Sequence, residues 1–197
     1  DYNAHRESEM QFYEPTPANE PARMPLFPIR APPEDETISR FVLDPRRDGE
    51  IGFTADALVV TGLRNELDGN RSLTFFAPTN EAIEKLREWE DWDAARTDLI
   101  DAFGSTRLMR AYMLAYHAVP NVSLTMKQLE NLRGDDVVME DYLNNVMPLV
   151  VLNSERPVEI AGFGSEARVV DADFSSCGAT VHKIDHVLLP FDGDDYL

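Results

Sequence analysis

Apolar and polar positions fall into two regimes along the chain. From residue 36 to about 119, apolar residues recur mostly at helical spacing. In ETISRFVLD (36–44), Ile38, Phe41 and Val42 share one side, which predicts a short helix, and PRRDGEIG (45–52) reads as a loop. FTADALVVTGLRNEL (53–67) predicts a second helix, with Leu58, Leu63 and Leu67 near helical spacing and Asp68-Gly69 as its stop. SLTFFAP (72–78) is a short apolar run that predicts a buried strand. Pro78 ends it, and Thr79 stands at the N-cap of the next helix, NEAIEKLREWEDW (80–92), with Glu81 and Glu84 near its positive end. DLIDAF (98–103) and RLMRAYMLAYHAV (107–119) carry the helical period onward.

After Pro120 the period shortens. SLTMKQLENL (123–132) predicts a short helix or turn. DDVVMEDYL (135–143), MPLVVLN (147–153), PVEIAGFGS (157–165), ARVVDADF (167–174) and ATVHKIDHVLLP (179–190) read as strands separated by Gly, Asn and Pro. Helices first and strands second predict an α+β fold with an antiparallel sheet. Residues 1–35 follow neither regime. They hold seven of the 13 prolines and predict an extended arm without a core of its own. Within it MPLFPI (24–29) alternates proline with Met24, Leu26, Phe27 and Ile29, an apolar strip that wants cover. The expected divisions are therefore an arm at 1–35, a globular domain at 36–191 and an acidic tail at 192–197.

Composition narrows the choice of partner. The chain has 197 residues, enough for one ordinary domain and an appendage, and 43% of them are hydrophobic. Acidic residues outnumber basic ones 36 to 18, giving a formal charge of −18. Such a surface repels phosphate, so neither nucleic acid nor an anionic lipid surface is expected as a partner. No apolar run approaches the length of a membrane span. Cys177 is the single cysteine, so a disulfide-stapled scaffold is excluded. Beginning at Asp1, without an apolar leader, the chain reads as processed.

Three blocks, in order, match one family. SLTFFAPTNEAIEKL resembles the opening signature of fasciclin-like domains, LAYHAVP the Tyr-His block in their middle, and FSSCGATVHKIDHVLLP their closing block. The resemblance spans about residues 36 to 191. It implies a β-sandwich with helices packed on one side, and it marks Phe76, Pro78, Thr79, Tyr116, His117, Pro120, His182, Asp185, Leu188 and Pro190 as signature positions. Two positions depart from the pattern: Asn121 stands where Gly is common, and Cys177-Gly178 where Asn-Gly is. Asn121 tolerates positive φ nearly as glycine does. Residues 87–107 are longer and more acidic than a minimal family member needs.

Candidate chemistry is sparse. His117, at the end of an amphipathic helix, reads as a buried tie that donates from one nitrogen and accepts at the other; the resemblance also allows it a part in partner binding. His182 and His186 are two apart, so alternation predicts one shared face, with Asp185 opposite. That pair alone is short of a metal site. Asp171 and Asp173, and Asp192, Asp194 and Asp195, lack the spacing of a calcium loop. Gly162-Phe163-Gly164 lacks the lysine and helix of a phosphate loop. No nucleophile elbow or metalloprotease motif occurs, so no catalytic residue, cofactor or metal is expected. Asn70 and Asn121 head glycosylation sequons. Trp89 and Trp92, set among acidic residues, read either as a solvated helix end or as a docking surface.

The expected function is a non-catalytic protein–protein interaction module. It would serve as an accessory subunit of a membrane-associated assembly on an extracytoplasmic face, in an organelle lumen such as the thylakoid's. It would dock through the domain, with Trp89 and Trp92, and through the arm, with Met24, Leu26, Phe27 and Ile29. The alternatives are a free secreted adhesion or matrix protein and, third, a metal- or small-molecule-binding enzyme.

Overall fold

The computed structural model describes residues 48–64, 72–132, 138–139, 149–153, 157–176 and 179–192. Helix α1 (Asp48–Thr61) opens this part and bends at Ile51, where φ is −133°. It therefore begins inside the stretch expected to be a loop. It also ends earlier than expected, at Gly62, whose φ of 82° is the left-handed conformation that terminates a helix. Ile51, Ala55 and Leu58, spaced by four and three, form its buried stripe. Thr54 Oγ1 donates to the Pro78 carbonyl at 2.7 Å, and Phe53 N–H donates to Asn80 Oδ1 at 2.9 Å. These two bonds fix α1 against the turn that follows the first strand.

Strand β1 (Leu73–Pro78) is buried along its whole length. Thr79 then caps α2 (Asn80–Glu88) by accepting from Ala82 N–H at 3.1 Å, as its position predicts. The single helix expected across 80–92 is two. The chain breaks at Trp89, in an extended conformation, and restarts as α3 (Trp92–Phe103). The break allows both Trp side chains to lie against one cluster with Ala82, Leu86, Met109, Met113 and Leu189. Gly104, at φ 74°, ends α3. Ser105 caps α4 (Thr106–Tyr116), which runs into β2 (Ala118–Pro120). Thr125 and Gln128 form a reciprocal capping box on α5 (Met126–Asn131). The strands β3 (Val138–Met139), β4 (Leu149–Asn153), β5 (Glu159–Ala161), β6 (Glu166–Ser176) and β7 (Ala179–Ile184) follow.

The strands join in the order β2-β1-β7-β6-β5-β4-β3. The mixed helix-and-sheet class is as expected, but the sheet is not purely antiparallel. One neighbouring pair, β1 and β7, is parallel, with Phe75 beside Val181 and Phe76 beside His182. The reason is connectivity: among the described residues β1 precedes all but one of the helices, and its neighbour β7 returns only after the whole β-rich half. Register shifts between Val169 and Phe174 curl the sheet, and Asp173 within them adopts φ 62°.

Alternation along β1 and β7 divides the core. Leu73, Phe75, Ala77, Ala179 and Val181 face α1 and α4. Phe76 and Ile184 face the other way and pack with Val151, Val158, Ile160, Ala167 and Val169 from β4–β6. Helix α5 lies on this second side through Leu129, so one helix departs from the expected one-sided layer. Among the described residues no helix is long and apolar enough to cross a membrane.

Tyr116 joins the two sides. Its ring is fully buried, and its hydroxyl accepts from Phe163 N–H at 2.8 Å. The contact needs a glycine. A Cβ on Gly162 would lie 2.9 Å from Tyr116 Cε1 and 3.0 Å from its hydroxyl. Gly162→Ala should therefore cost about 1–3 kcal/mol of stability through overpacking. Chemical denaturation checks this, and an unchanged midpoint would show that the ring gives way freely.

Candidate functional site

The partners of the polar side chains decide what chemistry remains available. His117 follows the last turn of α4. Its ring is 1% exposed. Nδ1–H donates to the Met113 carbonyl at 2.7 Å, and Nε2 accepts from Leu188 N–H at 3.0 Å. These partners allow only the neutral tautomer protonated at Nδ1. Burial pushes the imidazole down to a pKa of about 4, against the Met113 hydrogen bond, which raises it. The backbone carbonyl of the same residue accepts from Phe76 N–H at 2.9 Å. One residue thus links α4, β1 and the closing segment after β7.

His182 is used in a similar way on the other side of the sheet. Nε2–H donates to the Leu124 carbonyl at 2.7 Å, Nδ1 accepts from Asp173 N–H at 3.4 Å, and the ring stacks on Phe76. Burial holds its pKa below the ordinary value, despite opposing contributions from Leu124 and Asp173. Asp173 also accepts from Met126 N–H at 2.6 Å, so the bulge in β6 holds the start of α5. The two histidines expected to share a face do not meet. Strand β7 ends at Ile184, and His186 turns back to its neighbour Asp185 at 3.0 Å. Among the described residues no three His, Cys, Asp or Glu side chains come together to hold a metal ion.

The remaining signature positions are joints. Asp185 accepts from Arg168 N–H at 2.7 Å. Burial raises its pKa, but that hydrogen bond, His186 and Lys85 outweigh burial and leave it below the usual carboxylate range. Leu188 is fully buried, Pro190 is buried, and Pro120 pairs with Leu73. Two positions not singled out from the sequence do similar work. Ser165 Oγ donates to the Val187 carbonyl at 2.9 Å and accepts from Leu189 N–H at 2.7 Å. Lys183, on the helix-facing side of β7, is 4% exposed and bonds Glu50 of α1 and, at 3.1 Å, Asp171. Burial disfavours its charge, but the two carboxylates outweigh burial and raise the pKa. A serine inside a Gly-rich turn and a lysine inside an apolar strand gave no periodic signal; only a search for isolated charge in buried runs would have caught Lys183.

The open feature lies elsewhere. A cleft of about 500 Å³ separates α1 from α2, α3 and α4. Phe53, Val60, Ile83, Trp92, Met109 and Met113 supply its apolar lining. Phe53 is 38% and Val60 53% exposed. Asp56 and Asp93 stand at it against Arg87, Arg96 and Arg110, an excess of cations on an acidic protein. The Arg87 guanidinium lies 4.6 Å above the Phe53 ring. His117 borders the cleft, but both its nitrogens are occupied by backbone. Trp89 and Trp92 are half-buried, and Trp92 forms part of the wall. Met24, Leu26, Phe27, Ile29, Asn70, Cys177, Asp194 and Asp195 lie outside the described residues. Asn121 is exposed at φ 66°, the conformation its residue type allows.

The buried imidazole has a measurable consequence. Its folded pKa lies below its unfolded value of 6.5, so the unfolded chain binds the extra proton first as pH falls. Its full contribution is present above pH 6.5. About 3 kcal/mol is lost by pH 4. His182 and Asp185 shift in the same direction and add to the acid loss. His117→Phe should cost about 2–4 kcal/mol at pH 7.5, by stranding the Leu188 N–H and the Met113 carbonyl. It should also flatten the fall between pH 6.5 and 4. Urea denaturation across that range checks both, and an equally steep fall in the variant would place the proton uptake elsewhere.

Comparison with known proteins completes the picture. No curated protein matches the sequence significantly. Among solved structures, a FAS1 domain pair from the insect cell adhesion molecule fasciclin I matches with a TM-score of 0.57 at 16% identity, over 83% of this chain and 53% of that one. The chain spans about half the length of that structure, and a likeness at such identity shows the fold alone. The model of the fasciclin domain matches residues 50–190. By that match over most of its length, the chain belongs to the fasciclin domain family.

Proposed function

We propose that this fasciclin domain is a non-catalytic protein–protein interaction module and an accessory subunit of a larger, membrane-associated assembly on a lumenal or extracellular face. One observation carries the reading: the ionisable side chains of the interior are bonded to the fold, whereas the cleft between α1 and α2–α4 leaves apolar surface open. Phe53 and Val60 of its lining are exposed, and so are Val59 on α1 and Leu108 on α4. Its aromatic and arginine content suits a binding hot spot. The arm at residues 1–35, with Met24, Leu26, Phe27 and Ile29, supplies a second contact, and the domain itself runs from 36 to 191 with the acidic tail behind it. The sheet's two halves share one cluster through Phe76 and Ile160, which supports the sandwich arrangement. The net charge of −18 favours partners with basic faces and disfavours nucleic acid.

A second reading is a free secreted adhesion protein. It is favoured by the likeness of the fold to the insect cell adhesion molecule. Gentle isolation of the native protein separates the two. In the subunit reading it co-migrates with a defined set of proteins. Val60→Asp and loss of residues 1–35 should each weaken that association tenfold or more, since burying an unpaired charge in an interface is strongly unfavourable. A protein that migrates alone at every salt concentration would end the subunit reading.

A further inference from the structure

The cleft needs an occupant whose chemistry matches its walls, and such a segment exists in the chain itself. We infer that the cleft between α1 and α2–α4 is filled, in the free protein, by the chain's own Pro25-Leu26-Phe27-Pro28 segment. This rests on reading the cleft as an interaction surface and specifies its resident ligand. Three observations lead to it.

The first is side-chain chemistry. Pro25 and Pro28 are three apart, the repeat of a polyproline II helix, so a segment docked in that form would present both on one edge with Leu26 and Phe27 between them. Segments of this kind dock in grooves lined by aromatic rings, because their conformational entropy is already low. The cleft carries Phe53 from α1 and Trp92 from α3, with Val60, Ile83 and Met109 around them. The second is charge. Residues 20–36 carry Glu20, Glu34, Asp35 and Glu36 against Arg23 and Arg30, an excess of two negative charges. The cleft holds Arg87, Arg96 and Arg110 against two aspartates, an excess of cations on a chain whose net charge is −18. An apolar segment within a stretch of net negative charge is matched to such a site.

The third is tether length. The described part of the chain starts at Asp48, and the first residue of the cleft wall, Phe53, comes five residues later in the same helix. Between Pro28 and Asp48 the chain can span at most about 70 Å, more than the breadth of a small domain, so the segment can reach the cleft. Joined covalently to the domain, it meets the cleft at an effective concentration that a free competitor must exceed. A partner that uses the cleft must displace the segment, and the arm so released is then available for its own contact with that partner.

The two tryptophans make this testable on the full-length protein alone. Both Trp89 and Trp92 belong to the domain, and the arm has none. Leu26→Asp/Phe27→Asp in the complete chain should shift tryptophan emission to the red and increase its quenching by acrylamide, with the far-ultraviolet circular dichroism unchanged. A synthetic peptide of residues 20–36 should restore the wild-type emission to that variant. Val60→Asp in the cleft wall should give the same red shift, and the peptide should fail to reverse it. Identical emission from wild type and the arm variant overturns the inference. So does an arm-dependent emission that varies with protein concentration alongside a dimer in sedimentation, since the segment would then fill a second copy's cleft. Neither result bears on whether an outside partner binds, which isolation of the native assembly decides separately.

Discussion

The neutral imidazole of His117 is the constraint on which the other joints depend. It stands where α4 gives way to β2, and it is held by one carbonyl from its own helix and one N–H from the segment after β7. Removing it would leave two buried backbone groups to find other partners. Its own carbonyl completes the link to β1 through Phe76. Three parts of the chain more than 40 residues apart are therefore fixed at one point. Tyr116, one residue earlier, extends the same joint to the turn at Gly162.

Around that point the fold spends its polar residues on internal connection. His182, Asp173, Asp185, Ser165 and Lys183 each bridge elements that are distant in sequence. In this sheet β3 to β7 pair with their neighbours in sequence, but β1 must find β7 across the whole β-rich half. Hydrogen bonds of defined direction fix such a register better than apolar contacts, which tolerate sliding. The same economy explains why the open chemistry of the protein is surface chemistry. The carboxylates that give the chain its charge lie mostly outside, and the arginines gather at the cleft.

Much of the fold was legible in the chain. The run Leu73–Pro78 announced a central strand, because every residue but Thr74 is apolar or proline. Thr79 announced a cap by its type and place. His117 was legible as a tie because an imidazole at the end of an apolar helix face has few other roles. What was not legible follows from long-range geometry. The parallel pairing of β1 with β7 depends on a partner a hundred residues away, and no local period encodes it. His182 and His186 were misread because alternation holds only inside a strand, and β7 ends between them. The break at Trp89 was hidden because Ala82, Leu86, Trp89 and Trp92 keep helical spacing across it. The cleft was invisible because its walls come from four helices, and its lining residues look like ordinary core positions in each one taken alone.

One end of the sheet carries a further implication. Strand β2 has three residues and finishes in Pro120, immediately before Asn121 turns the chain away in a left-handed conformation. A strand that short, with no amide hydrogen at its last position, offers a poor template for another extended chain. Self-association by strand addition is thus discouraged at that margin, and so is fibril growth. A protein concentrated within an assembly can keep its copies from sticking to one another there without a helix or loop laid across the margin.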